Sequence, residues 1–287
     1  MINEIKNKYV SLIVDSEGAE VIHFYHNGVD YIRSRDEVWD RSAPILFPIV
    51  GRLKDGWADY NGKRITLGVH GFTSSRNFSI YSLKEDEIVL YDKYDESTLS
   101  KYPFKYEMYV TYRLSGKSFD TIIKVKNIDD VNYKYNIGGH PGINCPLFEG
   151  EAFEDYRIVF NKKETFASAS IVNGCMLDFD HPYLEFVGIN QINLDYKYFL
   201  IDAIVNKELA SDKIYLLNKE DKGIRFTYNG FNTIAFWTRP GSKFICFEPW
   251  HGYADLYNTN HDFLTKPDLI EIAPNEEKEV SFNIEIV

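Results

Sequence analysis

The chain has 287 residues, of which 44% are hydrophobic, so it can bury either one large all-β core or the cores of two ordinary domains. Its 32 basic and 43 acidic side chains give a net charge of −11, which argues against a general binder of nucleic acid or of anionic membranes. The three cysteines lack CxxC spacing, and their odd number fits a disulfide framework poorly.

The N-terminal stretch contains no apolar signal region. The longest apolar run, residues 43–50, is broken by two prolines and is too short to span a bilayer. We therefore expect a cytoplasmic protein without a membrane partner.

Short segments of alternating apolar residues predict many strands and little helix. His26-Asn27-Gly28 predicts a hairpin turn, and Ser115-Gly116-Lys117 predicts a second one. Asp95 is placed to cap a short helix that ends before Pro103. Residues 174–193 look irregular. The predicted strands are residues 10–14, 21–25, 29–32, 64–67, 78–83, 88–91, 106–114, 119–125, 133–137, 157–160, 213–217, 224–228, 233–237, 244–247 and 280–286.

The regular spacing of these short strands predicts an all-β sandwich or barrel. Strands do not alternate with long helical segments, which disfavours a doubly wound sheet. No linker rich in glycine, serine or proline divides the chain, so we expect a single domain over residues 1–287.

His140 stands out because it lies within Gly138-Gly139-His140-Pro141-Gly142. The following proline disfavours helical backbone at His140, and the two glycines allow close approach of a ligand or of another strand. An imidazole with its ordinary pKa near ~6.5 both gives and takes protons near neutrality. A purely structural histidine is the alternative.

Glu248 ends an apolar run and also precedes a proline. Strand alternation places Phe244, Cys246 and Glu248 on one face, where a carboxylate is out of place. Burying its charge is costly unless the charge is paired. Glu248 is therefore either the partner of an arginine or a general base in a shielded pocket.

Three further polar residues adjoin apolar segments. Arg52 follows the run of residues 44–50, and a salt bridge to a carboxylate is its structural alternative. His70 precedes Gly71 after a predicted strand, a pattern that is also common in turns. Asp202 is a single charge within the strand-like run of residues 198–205, so it either makes a structural hydrogen bond or faces a ligand.

A metal centre is not expected. His251, Asp255, His261 and Asp262 lie close in sequence, but their spacings match no standard metal-binding motif.

In this order, Arg52, His70, His140, Asp202 and Glu248 resemble the aldose 1-epimerase (galactose mutarotase) family, and most of all its LacX-like branch. The resemblance covers nearly the whole chain. The matching segments are residues 42–53, His70-Gly71-Phe72, Gly138-Gly139-His140-Pro141, Asp202-Ala203, Phe247-Glu248-Pro249-Trp250 and Ile272-Ala273-Pro274-Asn275-Glu276.

The resemblance implies a large antiparallel β-sandwich with a sugar site on its concave face and no cofactor. It gives Glu248 the role of catalytic base and His140 that of catalytic acid. Arg52, His70 and Asp202 match substrate-binding positions. On this view Gly138 and Gly139 leave room for a pyranose ring.

The chain departs from the pattern at Ser74, where relatives in this branch often carry an arginine. The nearest arginine is Arg76, which would share the face of Ser74 on a strand, so we predict Arg76 as its substitute in substrate binding. Whether the sugar carries a phosphate depends on such basic residues, for which Arg76, Lys54 and Arg35 are the candidates.

The expected activity is interconversion of the α and β anomers of a hexose by acid–base catalysed ring opening. The alternatives are a hexose-6-phosphate mutarotase and a sugar-binding or sensing protein that lacks turnover. A glycoside hydrolase that uses Glu248 and Asp202 is a further possibility. The sequence leaves open whether the chain is a monomer or a homodimer.

Overall fold

The computed structural model of the chain describes residues 1–174 and 176–287, which consist mostly of strands. The strands are β1 (Ile2–Lys6), β2 (Ser11–Asp15), β3 (Glu20–His26), β4 (Val29–Asp30), β5 (Ile45–Leu46), β6 (Trp57–Tyr60), β7 (Lys63–Thr66), β8 (Ser79–Leu83), β9 (Glu87–Lys93), β10 (Tyr106–Ser115), β11 (Ser118–Asn127), β12 (Tyr133–Tyr135), β13 (Ile137–Gly139), β14 (Gly142–Asn144), β15 (Arg157–Ser168), β16 (Ser170–Val172), β17 (Met176–Asp178), β18 (Leu184–Asn193), β19 (Ile204–Lys207), β20 (Lys213–Leu217), β21 (Gly223–Asn229), β22 (Thr233–Trp237), β23 (Phe244–His251), β24 (Ile270–Ile272) and β25 (Glu277–Ile286).

Helix is confined to short pieces. The α-helix α1 covers Glu96–Leu99, and 3₁₀ turns cover Lys54–Gly56, Thr73–Ser75, Phe153–Asp155, Tyr196–Phe199 and Phe263–Thr265. None of these helices in the described part of the chain is long and apolar enough to cross a bilayer. The predicted all-β fold with little helix is confirmed.

Two large antiparallel sheets organise the molecule. The first has nine strands in the order β18-β15-β20-β21-β25-β11-β10-β9-β8. The second runs β19-β22-β23-β13-β5, and β14 also pairs with β23. A four-stranded sheet, β1 to β4, and the two-stranded sheets β12-β24, β16-β17 and β6-β7 complete the fold.

The hydrophobic core lies between the two large sheets. Alternate residues of β10 are buried, as expected for a strand with one face on a core. Phe247 of the second sheet packs against Phe226 of the first sheet, with ring centroids 5.7 Å apart. It also contacts Phe236 on the adjacent strand β22, at 5.1 Å. This packing fixes the position of β23, the strand that carries Glu248.

The local turn and cap predictions are confirmed. Asn27 and Gly28 have φ values of 49° and 81°, which suit the two-residue hairpin turn between β3 and β4. Asp95 caps α1, because its side chain accepts a hydrogen bond from the Thr98 amide while the Thr98 hydroxyl binds the Asp95 amide.

The interpretation of residues 174–193 as irregular is wrong, since this range contains β17 and β18. β18 lies at the edge of the nine-stranded sheet, and most of its residues are at least partly exposed, so the usual apolar alternation is weak. Cys145 and Cys246 are buried free thiols. Cys175, the third cysteine considered above, lies outside the described residues.

Candidate active site

The site is built on β23, which pairs with β22 on one side and with both β13 and β14 on the other. The ladder of β13 with β23 ends at Gly138 and that of β14 begins at Gly142, so His140 and Pro141 lie in the break between them. The His140 amide donates to the Pro44 carbonyl at 3.0 Å, and the Phe247 amide donates to the Pro141 carbonyl at 3.1 Å. These bonds hold His140 beside Glu248.

The two predicted proton-transfer residues meet. His140 Nε2 lies 2.9 Å from Glu248 Oε2. Both residues are buried, with 7% of His140 and 1% of Glu248 exposed. A charge at either position is thus shielded from water. In this low-dielectric surrounding it interacts strongly with the neighbouring group.

Burial pushes the two groups toward their neutral forms. Burial, aided by the negative charge of Asp202, raises the pKa of Glu248 well above its ordinary value of 4.5. Burial lowers the pKa of His140 to about 4, although Asp202 and Glu20 act in the opposite direction. Between these limits the pair holds one proton, which burial favours on the Glu248 carboxyl because it leaves both groups neutral.

The pair faces a cavity of about 410 Å³, a size typical of small-molecule sites. Its walls combine aromatic rings with a few convergent polar groups. Trp39, Trp237 and Trp250 supply the large apolar faces, and the polar groups include His70, Arg52 and Asp202. Four separately predicted site residues therefore share one cavity with His140: Arg52, His70, Asp202 and Glu248.

His70 is both a turn residue and part of the cavity wall. Its backbone has a φ of 61°, and Gly71 follows with a φ of 79°. The Gly51 amide donates to His70 Nδ1 at 3.0 Å, so the ring proton is on Nε2. Burial, with His140 and Arg52 nearby, lowers the pKa of His70 well below its ordinary value. His70 is therefore a neutral hydrogen-bond donor at physiological pH.

Arg52 follows Gly51 after the apolar run and lines the cavity with an exposed side chain. Within residues 1–174 and 176–287, no ion pair joins its guanidinium to a carboxylate. The salt bridge considered as its structural alternative is therefore not seen there, and the guanidinium is available to a ligand.

Asp202 lies in the cavity wall but not within a strand, so the strand-like interpretation of residues 198–205 is wrong. A 3₁₀ turn covers Tyr196–Phe199, and β19 starts only at Ile204. Leu200 and Ile201 are exposed, so this apolar run does not mark a buried strand. Asp202 itself has a φ of 147°, an unfavourable backbone conformation of the kind often found at functional sites.

The structure does not place Arg76 in the cavity. Its guanidinium binds Asp92 at 2.8 and 3.0 Å and Asp95 at 2.6 Å. The expected shared strand face does not exist, because Thr73–Ser75 forms a 3₁₀ turn. Ser74, not Arg76, lines the cavity.

The other two candidate phosphate ligands are also engaged elsewhere. Arg35 pairs with Asp15 at 3.2 Å and Glu20 at 2.6 Å. Lys54 Nζ donates to the carbonyls of Tyr257 and Thr259.

Sequence reasoning missed two arginines and three tryptophans of the cavity wall. Arg41 and Arg239 both line the cavity, each two residues after a tryptophan, Trp39 and Trp237. The signal was present as two Trp-x-Arg segments. Neither segment alone stands out from the aromatic-rich composition, which is why only the fold reveals them.

The two glycines before His140 make room for protein, not for a sugar ring. A Cβ on Gly138 would lie 2.7 Å from Trp250 Cδ1, and one on Gly139 would lie 2.6 Å from Phe282 Cε1. Gly138 therefore lets the Trp250 side chain pack close to β13. Gly139 lets β13 approach the core of the opposite sheet.

Among the described residues, one group has the composition and spacing to hold a metal ion. Ligand atoms of His140, Cys246 and Glu248 all lie within 4.8 Å of one another. The four residues rejected as a metal motif have other contacts. His251 Nδ1 bonds to the Gly230 carbonyl and His261 stacks on Trp57, while Asp255 pairs with Lys266 and Asp262 accepts the Leu264 amide.

Removing the Arg76 side chain is expected to affect stability but not catalysis. Arg76→Ala breaks a largely buried pair with Asp92, which should lower the free energy of unfolding by about 1–3 kcal/mol. Urea unfolding measures this loss. Because Arg76 lies outside the cavity, KM for a sugar should stay within about twofold of wild type. A large rise in KM would return Arg76 to the site.

A β-sandwich with a buried histidine and glutamate in a tryptophan-lined cavity fits the class of mutarotase-like proteins. The aldose 1-epimerase family model matches residues 1–285, and the chain belongs to this family. It is 32% identical to the plasmid-encoded protein LacX of Lactococcus lactis subsp. lactis over 297 aligned positions, which cover 99% of each protein.

Solved structures show the same galactose mutarotase-like fold. A galactose mutarotase related enzyme from Lactobacillus acidophilus is 26% identical with a TM-score of 0.94, covering 100% of this chain and 97% of that one. A galactose mutarotase-like protein from Lactobacillus casei is 21% identical with a TM-score of 0.93, covering 100% of both chains. A galactose 1-epimerase from Lactobacillus acidophilus NCFM is 13% identical with a TM-score of 0.74, covering 99% and 93%.

Proposed function

We propose that the chain interconverts the α and β anomers of an aldose, with Glu248 as the base and His140 as the acid. The observation that carries this proposal is the buried 2.9 Å contact between the two side chains at the wall of a small-molecule cavity. The pair holds one proton, and ring opening moves one proton from the anomeric hydroxyl to the ring oxygen.

The reaction cycles the pair between two states with the same total number of protons. With Glu248 ionised and His140 protonated, Glu248 takes the anomeric hydroxyl proton and His140 gives its proton to the ring oxygen. The ring opens to the free aldehyde and leaves both side chains neutral, the state that burial favours. Rotation about the first carbon–carbon bond and the reverse proton transfers then close the ring on the other face.

The remaining wall residues suit the task of orienting the sugar. His70 presents a neutral N–H donor and Arg52 a cationic one, and both can donate to sugar hydroxyl oxygens. The Asp202 carboxylate can accept a hydrogen bond from a hydroxyl. Fixing the ring in this way aligns its two reacting oxygens with the catalytic pair.

The test is the mutarotation of freshly dissolved α-glucose and α-galactose, followed by polarimetry. We expect the wild-type protein to shorten the approach to equilibrium, and Arg76→Ala to do the same. Binding of the sugar in calorimetry without any acceleration would refute the proposal and favour a sensing protein.

The pH dependence of kcat/KM should form a bell, because the active pair carries one proton. As the pH falls through about 4, His140 becomes protonated, the pair then carries two protons, and the rate drops. As the pH rises through the raised pKa of Glu248, the pair loses its proton and the rate drops again. Polarimetry corrected for buffer catalysis measures both limbs. An acid limb at the ordinary histidine pKa near 6.5 would contradict the burial of His140.

A phosphorylated aldose is a second candidate substrate, favoured by the cavity's arginines. Arg41, Arg52 and Arg239 all line it, although the protein as a whole is acidic. The nearest carboxylate oxygen to Arg41 belongs to Glu20 at 3.9 Å, a loose contact, and Arg239 leans on Trp237 at 6.0 Å. Arginine forks suit phosphate recognition.

Competition separates the two substrates. If the phosphorylated sugar is preferred, a hexose 6-phosphate should inhibit turnover of the free hexose at a concentration below the KM of that hexose. Arg239→Ala should then weaken binding of the phosphate ester while leaving the KM of the free hexose unchanged. Equal inhibition by the ester and by a neutral hexose would remove this candidate.

A further inference from the structure

Residues 33–43, here called the Trp39 segment, form most of the connection between β4 and β5 and contain no strand. This segment carries Trp39 and Arg41 to the cavity wall. Irregular segments are usually the most variable parts of a site, yet several buried charged contacts hold this one in place. The residues that make those contacts define what the segment does.

Trp39 stands directly beside the catalytic histidine. Its ring centroid is 4.8 Å from that of His140 and 5.4 Å from that of Trp237, which it meets edge to face. It also stacks on Phe244 at 5.7 Å with an angle of 17° between the planes. Trp39 is only partly buried, so part of its surface remains open to the cavity.

Arg33 supports Trp39 from within the protein. Only 2% of Arg33 is exposed, and its guanidinium lies 5.2 Å from the Trp39 ring centroid and 4.4 Å from that of Phe244. It pairs with Asp36 at 2.5 Å, and Asp36 accepts the Trp39 amide at 3.0 Å. Arg33 and Asp36 therefore fix both the ring and the backbone of Trp39.

The far end of the Trp39 segment is fixed by Glu20, which is fully buried. Its carboxylate accepts the backbone amides of Ser42 and Ala43 and pairs with Arg35 at 2.6 Å. With both ends held, the segment presents Trp39 in one position instead of a range of positions.

A buried cation is costly unless its surroundings compensate for the lost hydration. The Asp36 side chain is 55% exposed, so its ion pair with Arg33 is a weak reason to bury an arginine. The Arg33 guanidinium lies beside the stacked Trp39 and Phe244 rings and gains from cation–π contact with both, which a lysine would do less well. Arg33 therefore supports the aromatic wall that Trp39 and Phe244 form.

We infer that Trp39 is a substrate-contacting, specificity-determining residue that packs against the C–H face of a sugar ring, and that Arg33 is a positioning residue that acts through Trp39. The inference rests on the proposed function only in taking the ligand to be a pyranose. Trp39 then holds the ring against the side of the cavity where His140 reaches the ring oxygen.

Sugar affinity and turnover test the first half. Trp39→Ala should raise KM roughly 10-fold or more, with a smaller change in kcat, because it removes contact area and no proton-transfer group. Trp39→Phe, which keeps a smaller ring, should lie between the alanine variant and wild type. An unchanged KM in Trp39→Ala would overturn the assignment.

A double-mutant cycle tests the second half. Arg33→Met should raise KM in the wild-type background but add little in the Trp39→Ala background, because its effect passes through Trp39. Arg33→Lys should restore part of the loss. Effects that multiply in the double variant would show that Arg33 acts independently and overturn its role.

Arg64 and Trp57 provide a matched control. Arg64 lies 4.0 Å from the Trp57 ring centroid, and Trp57 stacks on His261 instead of His140. Arg64→Met should leave KM unchanged, so a rise specific to Arg33→Met identifies an effect on the site.

Tryptophan fluorescence provides a readout that needs no turnover. Adding galactose or glucose should change the emission of wild type, and this change should shrink in Trp39→Phe but persist in Trp57→Phe. If sugar changes the fluorescence of Trp39 but the wild-type protein does not accelerate mutarotation, the proposed function fails and this inference stands. If mutarotation is normal and Trp39→Phe leaves the fluorescence response intact, the inference fails alone.

Discussion

Glu248→Gln is expected to lower kcat/KM for mutarotation roughly 10²–10⁴-fold, the usual contribution of one positioned proton-transfer group. Glutamine keeps the shape and the burial of the side chain but cannot accept the anomeric hydroxyl proton. KM should change little, because the walls that orient the sugar remain. Polarimetry on the variant and on Arg76→Ala in parallel gives the comparison, and wild-type activity in Glu248→Gln would exclude Glu248 as the base.

The same substitution should stabilise the protein at alkaline pH. Glu248 has a raised folded pKa, so the stability it provides is complete below the ordinary value of 4.5 and is lost as the pH rises through the folded pKa. Glutamine has no proton to lose and escapes this cost. The melting temperature of the variant relative to wild type should therefore be higher at about pH 8 than at about pH 5. A difference independent of pH would mean that Glu248 is not strained by its burial.

His140→Gln should also reduce kcat/KM roughly 10²–10⁴-fold, since the ring oxygen loses its proton donor. The double variant with Glu248→Gln should be hardly worse than the more damaged single variant, because each substitution already stops the coupled transfer of one proton. Initial mutarotation rates of the three variants measure this directly. Losses that multiply would show that the two residues act in separate steps.

His140→Gln should further abolish the acid limb of the pH profile near pH 4, because that limb belongs to protonation of the imidazole. Circular dichroism at each pH guards against unfolding as the cause of a lost rate. If the limb persists in a folded variant, another group governs it.

The sequence is most informative where an effect is local. Pro141 and Pro249 constrain the residue directly before them, and a carboxylate between Phe247 and Pro249 is unusual whatever the fold. His140 and Glu248 therefore stand out from the amino-acid sequence alone. The hairpin at Asn27-Gly28 is equally clear, since its turn depends on two adjacent residues.

Two errors, at residues 174–193 and 198–205, are of local structure, and the others concern contacts between residues that are not neighbours in the chain. Nothing in the residues around Arg76 announces that Asp92 will bind it across two strands. The register that places Gly138 opposite Trp250 likewise cannot be read from either segment alone. The role of Trp39 is hidden for the same reason, because its neighbours His140 and Trp237 lie about 100 and 200 residues away.

The break between β13 and β14 has a consequence for how such a protein can change. Both strands are bonded to β23, so the separation of His140 and Glu248 follows from the spacing of neighbouring strands, about 4.8 Å, in the middle of a sheet. The Trp39 segment and the turn that carries Asp202 lie outside this ladder. Mutation in these two segments can therefore reshape the cavity wall around Trp39 and Asp202 while the distance between His140 and Glu248 stays constant, so the proposed selection of a sugar and the proposed proton transfer can change independently of each other.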